Sequence, residues 1–128
     1  MTEQEQIQYL ANLYYIARAD EKFGVEEDYL LQEIAKEIGA GYLQTRKALD
    51  LAMEKEFKIT LAVRWSEKIR ALEDMLLVAM WDKKLHEMEK RVVLTQAKKA
   101  GIEREQFEMI RMEAKSRLKK MKEMLNKP

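Results

Sequence analysis

Apolar residues recur at three- and four-residue intervals along most of this chain, the period of helices with one buried face. Ile7, Leu10, Leu13, Tyr14 and Ala17 form the first stripe. Thr2-Glu3-Gln4-Glu5, just before it, has the form of a capping box that opens a helix. That helix is expected to stop near Asp20, ahead of a short loop through Phe23-Gly24. Gly24 suits an N-cap, and Glu26 and Glu27 fall in the first turn of a second helix, where carboxylates favour the dipole. Leu30, Leu31, Ile34, Ala35 and Ile38 are its buried face, and Gly39 is placed to end it, with Gly41 loosening the joint. A third helix is expected from about Tyr42 to Lys55, with Leu43, Ala48, Leu49 and Ala52 inward. A fourth runs from about Trp65 to Trp81 on Ile69, Leu72, Leu76 and Ala79. A loop at Asp82-Lys83-Lys84-Leu85 follows. The fifth helix covers about Glu87 to Ala100 and ends at Gly101. The sixth starts near Glu103 and reaches about Leu125, on Phe107, Ile110, Ala114, Leu118, Met121 and Leu125.

Residues 56–64 break the helical period. Ile59, Leu61 and Val63 alternate as a strand would. A lone strand in a helical chain has no partner, so this segment reads as loop or early helix.

The pattern occurs twice. Shifted by 62 residues, the chain matches itself at Ile7/Ile69, Leu10/Leu72, Ala17/Ala79, Asp20/Asp82, Lys22/Lys84, Glu27/Glu89, Ala35/Ala97, Lys36/Lys98, Gly39/Gly101 and Gln44/Gln106. Those are ten identities without a gap, where chance gives roughly two or three. The fold class expected is therefore all-α: a single compact domain over 1–128, of about six helices, built from two related helix-loop-helix halves at about 7–44 and 69–106.

Composition narrows the function. A formal net charge of +1 gives no overall pull toward nucleic acid or anionic lipid. The absence of Cys removes disulfides, thiol nucleophiles and thiolate metal sites. The longest uncharged run, Gln6 to Ala17, is too short to span a bilayer and includes Gln8 and Asn12. The N-terminus is acidic and lacks the basic start of a secretory signal, so a cytoplasmic location is expected.

The two loop regions carry a recurring motif. The first reads Ala17-Arg18-Ala19-Asp20-Glu21-Lys22-Phe23-Gly24-Val25-Glu26-Glu27 and closes at Ile38-Gly39. The second reads Ala79-Met80-Trp81-Asp82-Lys83-Lys84-Leu85-His86-Glu87-Met88-Glu89 and closes at Ala100-Gly101-Ile102. Both resemble the TerB-like family, which includes the tellurite-resistance protein TerB and the N-terminal region of the DjlA co-chaperone. The family's pattern has Ala-x-x-Asp-Gly before the second helix; Glu21 and Lys83 stand here in place of that Gly. The resemblance implies an all-α domain without established enzymatic chemistry, tied to stress response and to acting as a module beside other domains.

Asp20 with Glu27 and Asp82 with Glu89 are the sharpest candidate site residues. Clustered carboxylates at a loop suit a divalent cation. The alternative is helix chemistry, with each Glu at the third helical position and each Asp capping loop amides. An EF-hand is excluded: counted from Asp20 its Gly and Glu positions fall on Val25 and Leu31, and from Asp82 on Glu87 and Val93. His86 is the only His and aligns with Gly24, which reads as a surface cap rather than a catalytic base. With no catalytic site and no cofactor motif, the chain reads as non-enzymatic, a protein-interaction module. A metal- or small-ligand-binding domain is the alternative. A second copy of the chain is one candidate partner; nucleic acid is not.

Charge is unevenly placed. Residues 1–40 hold nine acidic against three basic side chains, and 111–128 hold seven basic against two acidic. A sixth helix of about 33 Å is long for a domain this size. Its end, with Arg117, Lys119, Lys120 and Lys122, is therefore expected to project or to lie on an acidic surface, the N-terminal helices being the obvious candidate. Removing residues 116–128 is then expected to cost little stability.

Overall fold

A computed structural model describes residues 1–18, 24–81 and 87–126, with the backbone alone at Val25 and at 87–89. Within them the chain forms six helices and no strand: α1 Glu3–Arg18, α2 Val25–Glu37, α3 Tyr42–Ala52, α4 Trp65–Ala79, α5 Glu87–Lys99 and α6 Arg104–Leu125. The expected single all-α domain is what forms. No described helix is long and apolar enough to cross a membrane.

Local chemistry sets the helix ends. Thr2 Oγ1 accepts from the Glu5 amide at 3.1 Å, and Glu5 returns a bond to the Thr2 amide at 2.9 Å. This capping box holds the Glu5 carboxyl below its ordinary range, first through the Thr2 amide and then the Thr2 hydroxyl. At α3 and α6 half of such a box recurs, with Gln44 accepting the Gly41 amide and Gln106 the Glu103 amide, at 2.9 and 3.0 Å. α2 and α5 stop in the same way. Gly39 and Gly101 have φ of 78° and 77°. The amide after each glycine reaches back five residues, Ala40 to Ala35 and Ile102 to Ala97, which is the Schellman pattern.

α1 and α4 are the two most deeply buried elements. From Tyr9 to Ala17 the chain of α1 is buried except Tyr15, and so is α4 from Ala71 to Ala79 except Glu73. α1 packs on α3, and α4 on α6; α1 and α4 touch each other, and α2 touches both. Leu10, Leu13, Ile16, Leu30, Leu31, Ile34, Leu72, Met75, Leu76 and Val93 fill the shared core. Glu3 and Trp65, Val25 and Glu87, and Tyr42 and Arg104, where the helices start, are each 62 residues apart.

Three boundaries and one facing differ from the sequence reading. α3 stops at Ala52 rather than Lys55, because the Met53 and Glu54 amides bond only three residues back, to Asp50 and Leu51. α4 stops at Ala79; Trp81 lies past the helix and is buried. α5 stops at Lys99. Leu43, expected inward, is 65% exposed. The buried positions of α3 are Thr45, Ala48 and Ala52, and a residue two places from that stripe faces elsewhere.

Residues 57–63 form an irregular strap over α1. Phe57, Ile59 and Leu61 pack on the core, while Val63 is 91% exposed. The strap needs no sheet partner, because Asn12 serves in its place. Its side-chain amide donates to the Thr60 carbonyl at 3.0 Å, and its carbonyl accepts the Thr60 amide at 3.3 Å.

α6 does not project. Ile110 and Ala114 are buried, and Leu118, Met121 and Leu125 pack against the core. Of its basic end, Arg117 lies on carboxylates, while Lys122 bonds the Trp81 carbonyl and Lys119 and Lys120 are exposed. Those carboxylates come mainly from α4, with Glu37 of α2 the one contribution from the acidic N-terminal helices.

Candidate functional site

The carboxylates singled out from the sequence fall mostly beyond what the structure describes. Asp20 and Asp82 lie outside the described residues, as does His86, and at Glu89 only the backbone is described. Glu27 sits at the third position of α2 and is buried and engaged by a partner. No group of three or more His, Asp or Glu side chains able to hold a metal occurs among the described residues. The divalent-cation reading of Asp20, Glu27, Asp82 and Glu89 is therefore left where the sequence put it.

The structure brings together a set of residues that the sequence reading passed over. Asp74, on the buried side of α4, is fully inaccessible. Tyr9 of α1 donates its hydroxyl to one Asp74 oxygen, and Arg117 of α6 donates to the other at 2.6 Å. Arg117 also donates to Glu73 at 2.6 Å and to Glu37 at 3.3 Å. Arg70 pairs with Glu37 at 3.6 Å. One guanidinium thus ties α2, α4 and α6, and through Asp74 it reaches α1. Burial pushes the Tyr9 phenol well above its ordinary range, and the Asp74 charge adds to that. For Arg117 burial works against the charge, but Asp74, Glu73 and Glu37 outweigh it and raise its pKa. A five-donor planar cation suits this multiple role better than a lysine would. Lys122, one turn and a half further on, caps the Trp81 carbonyl and stands 5.1 Å from the centre of the Trp81 ring.

A signal for this cluster was present. Asn12 and Asp74 are polar residues in the middle of apolar helical faces, and both are buried. They also occupy the same position of the 62-residue repeat. A polar side chain in a buried stripe must have a partner, so each marked a tether: Asn12 for the strap, Asp74 for α6. Arg117 could not be separated by sequence from the lysines around it.

Two openings flank the strap. On one side is a cleft of about 250 Å³ lined by Met1, Tyr9, Leu61, Ala62, Val63 and Ala71, with Gln8, Asn12, Glu5 and Glu67 also on its walls. Glu67 pairs with Arg64 at 3.4 Å. Beside this cleft the side chains of Val63 and Trp65 stand 91% and 50% exposed. On the other side, between the strap and α5, is a larger groove of about 570 Å³. No family model matches the chain, and neither a curated protein nor a solved structure matches it significantly.

Proposed function

We propose that this chain is a non-enzymatic, protein-binding helical domain of the TerB-like kind, serving a stress response of the tellurite-resistance type. The observation that carries the protein-binding part is the apolar cleft beside the strap, with Val63 on its wall and Trp65, two residues on, also exposed. Exposed apolar side chains grouped at a concave rim mark contact sites, because covering them releases water at little cost. The cleft lies below the range of about 300–1,000 Å³ usual for small-molecule pockets. That favours an apolar side chain of a partner protein as its occupant. The buried ion cluster supports the same reading, since its charges are spent on joining four helices rather than left open to a substrate. The twofold motif resemblance supplies the family and the stress link.

The test compares wild type with Val63→Ser/Trp65→Ser. Both residues are exposed, so the melting temperature is expected to stay within a degree or two, about 0.5 kcal/mol in stability. Cross-linking in cells of the native host is expected to trap a defined partner with wild type and to lose it with the double variant. An unchanged cross-linking profile would remove the cleft from the proposal. Sedimentation equilibrium of the two proteins identifies the case in which the partner is a second copy.

A further inference from the structure

The groove between the strap and α5 has a different character from the apolar cleft. Lys58 of the strap and Arg91 and Lys99 of α5 line it. It continues past Ile59, Thr60 and Gln96 to Lys68 of α4. No carboxylate is among its described lining residues. Among the described residues none of these four cations closes an ion pair, whereas Arg64, Arg70, Arg111 and Arg117 all do. Arg91, Thr95 and Lys99 follow one another at four-residue spacing, so they stand in a row on one face of α5. Tyr15 and Phe57, whose rings lie 5.4 Å apart, form an apolar end to the groove.

We propose that this groove binds a short, extended acidic segment of a partner protein. Arg91 and Lys99 are eight residues apart, so the row spans about 12 Å along the helix. An extended chain covers that distance in about four residues. Successive side chains of such a segment point to opposite sides. Consecutive carboxylates would face α5 on one hand and Lys58 and Lys68 on the other. Threonine and glutamine side chains between the cations can bond the segment's backbone. The whole chain has 24 basic and 23 acidic residues. With these four cations gathered in the groove, the remainder is net negative, which repels a long polyanion and tolerates a short acidic stretch. Tyr15 and Phe57 pack on each other, so they do not offer the open aromatic platforms on which nucleic-acid bases stack. This inference is independent of the apolar cleft: either surface can fail without the other.

The experiment is fluorescence anisotropy with the full chain and a labelled peptide, Leu-Glu-Glu-Glu-Glu-Leu. Saturable binding is expected, weakening with added salt. Arg91→Glu/Lys99→Glu is expected to weaken it about tenfold, and Arg91→Gln/Lys99→Gln by less. Lys115→Glu, on the exposed side of α6, is expected to leave it unchanged. Circular dichroism confirms that each variant is folded. Three results would overturn the proposal: no saturable binding, equal binding of the glutamine version of the peptide, or loss with Lys115→Glu equal to that with the groove variants. Tighter binding of a single-stranded oligonucleotide of equal length, lost in Arg91→Glu/Lys99→Glu, would also overturn it and assign the groove to nucleic acid.

Discussion

At the scale of single residues, Arg117 has the most consequence. It is the counter-ion of the fully buried Asp74. Removing one partner of such a pair leaves a charge in a poorly solvating interior, which costs about 3–5 kcal/mol. Arg117→Met is therefore expected to lower the stability to urea unfolding by about 3 kcal/mol. Adding Asp74→Asn to it should restore part of that loss, because the unpaired charge is gone while an acceptor for Tyr9 remains. A double variant as weak as the sum of the two single ones would mean that Arg117 acts through packing alone. Asn12 works differently. It is neutral, and it replaces the hydrogen bonds that Thr60 would otherwise make to water or to a second strand.

At the scale of elements, two helix ends and one helix length stand out. Gly39 and Gly101 share a left-handed backbone and the same reach-back bond. A Cβ at Gly39 would meet Gln6 Nε2 at 3.7 Å, an ordinary contact, and at Gly101 it would meet nothing within 4 Å. Sterics with neighbours thus play no part, and only the backbone strain of an L-residue remains, about 1–2 kcal/mol. Gly39→Ala and Gly101→Ala are each expected to lose that amount in thermal unfolding, equally and additively. For α6 the earlier expectation reverses. Ending the chain at Lys115 removes Arg117 and Lys122 together with Leu118, Met121 and Leu125 from the core. Set against a total stability of about 5–15 kcal/mol, that loss should leave the domain with a sharply lowered melting temperature or unfolded. A truncated chain as stable as the whole would return the segment to the surface role first expected of it.

At the scale of the molecule, folding is linked to tyrosine ionisation. Burial, and after it the charge of Asp28, pushes the Tyr14 phenol from 10.0 up to about 12. Tyr9 is pushed in the same direction. Both groups are acids that the folded state keeps neutral. Their contribution is complete below pH 10, the unfolded value, and is lost as pH rises from there through about 12. Melting temperature followed by circular dichroism should therefore fall steeply above pH 10. Tyr14→Phe should make that fall shallower.

What the sequence determined is the part governed by local rules. Helical periodicity, the Thr2–Glu5 capping box and the two terminating glycines place six helices within a few residues, because each signal acts within one or two turns of the chain. The 62-residue spacing of the helix starts was legible for the same reason. Facing and partnership were not. Leu43 looked inward by composition, but only the packing of α3 on α1 decides which stripe is buried. The strap alternated as a strand would but read as loop or early helix, and nothing near it in sequence pointed to Asn12, 48 residues earlier, as its tether. Arg117 read as one more surface cation until the fold set it beside Asp74, 43 residues away. The two openings beside the strap exist only because α1, α4 and α5 approach it from different sides. Contacts between residues far apart in sequence depend on how whole helices pack, and no local pattern records that.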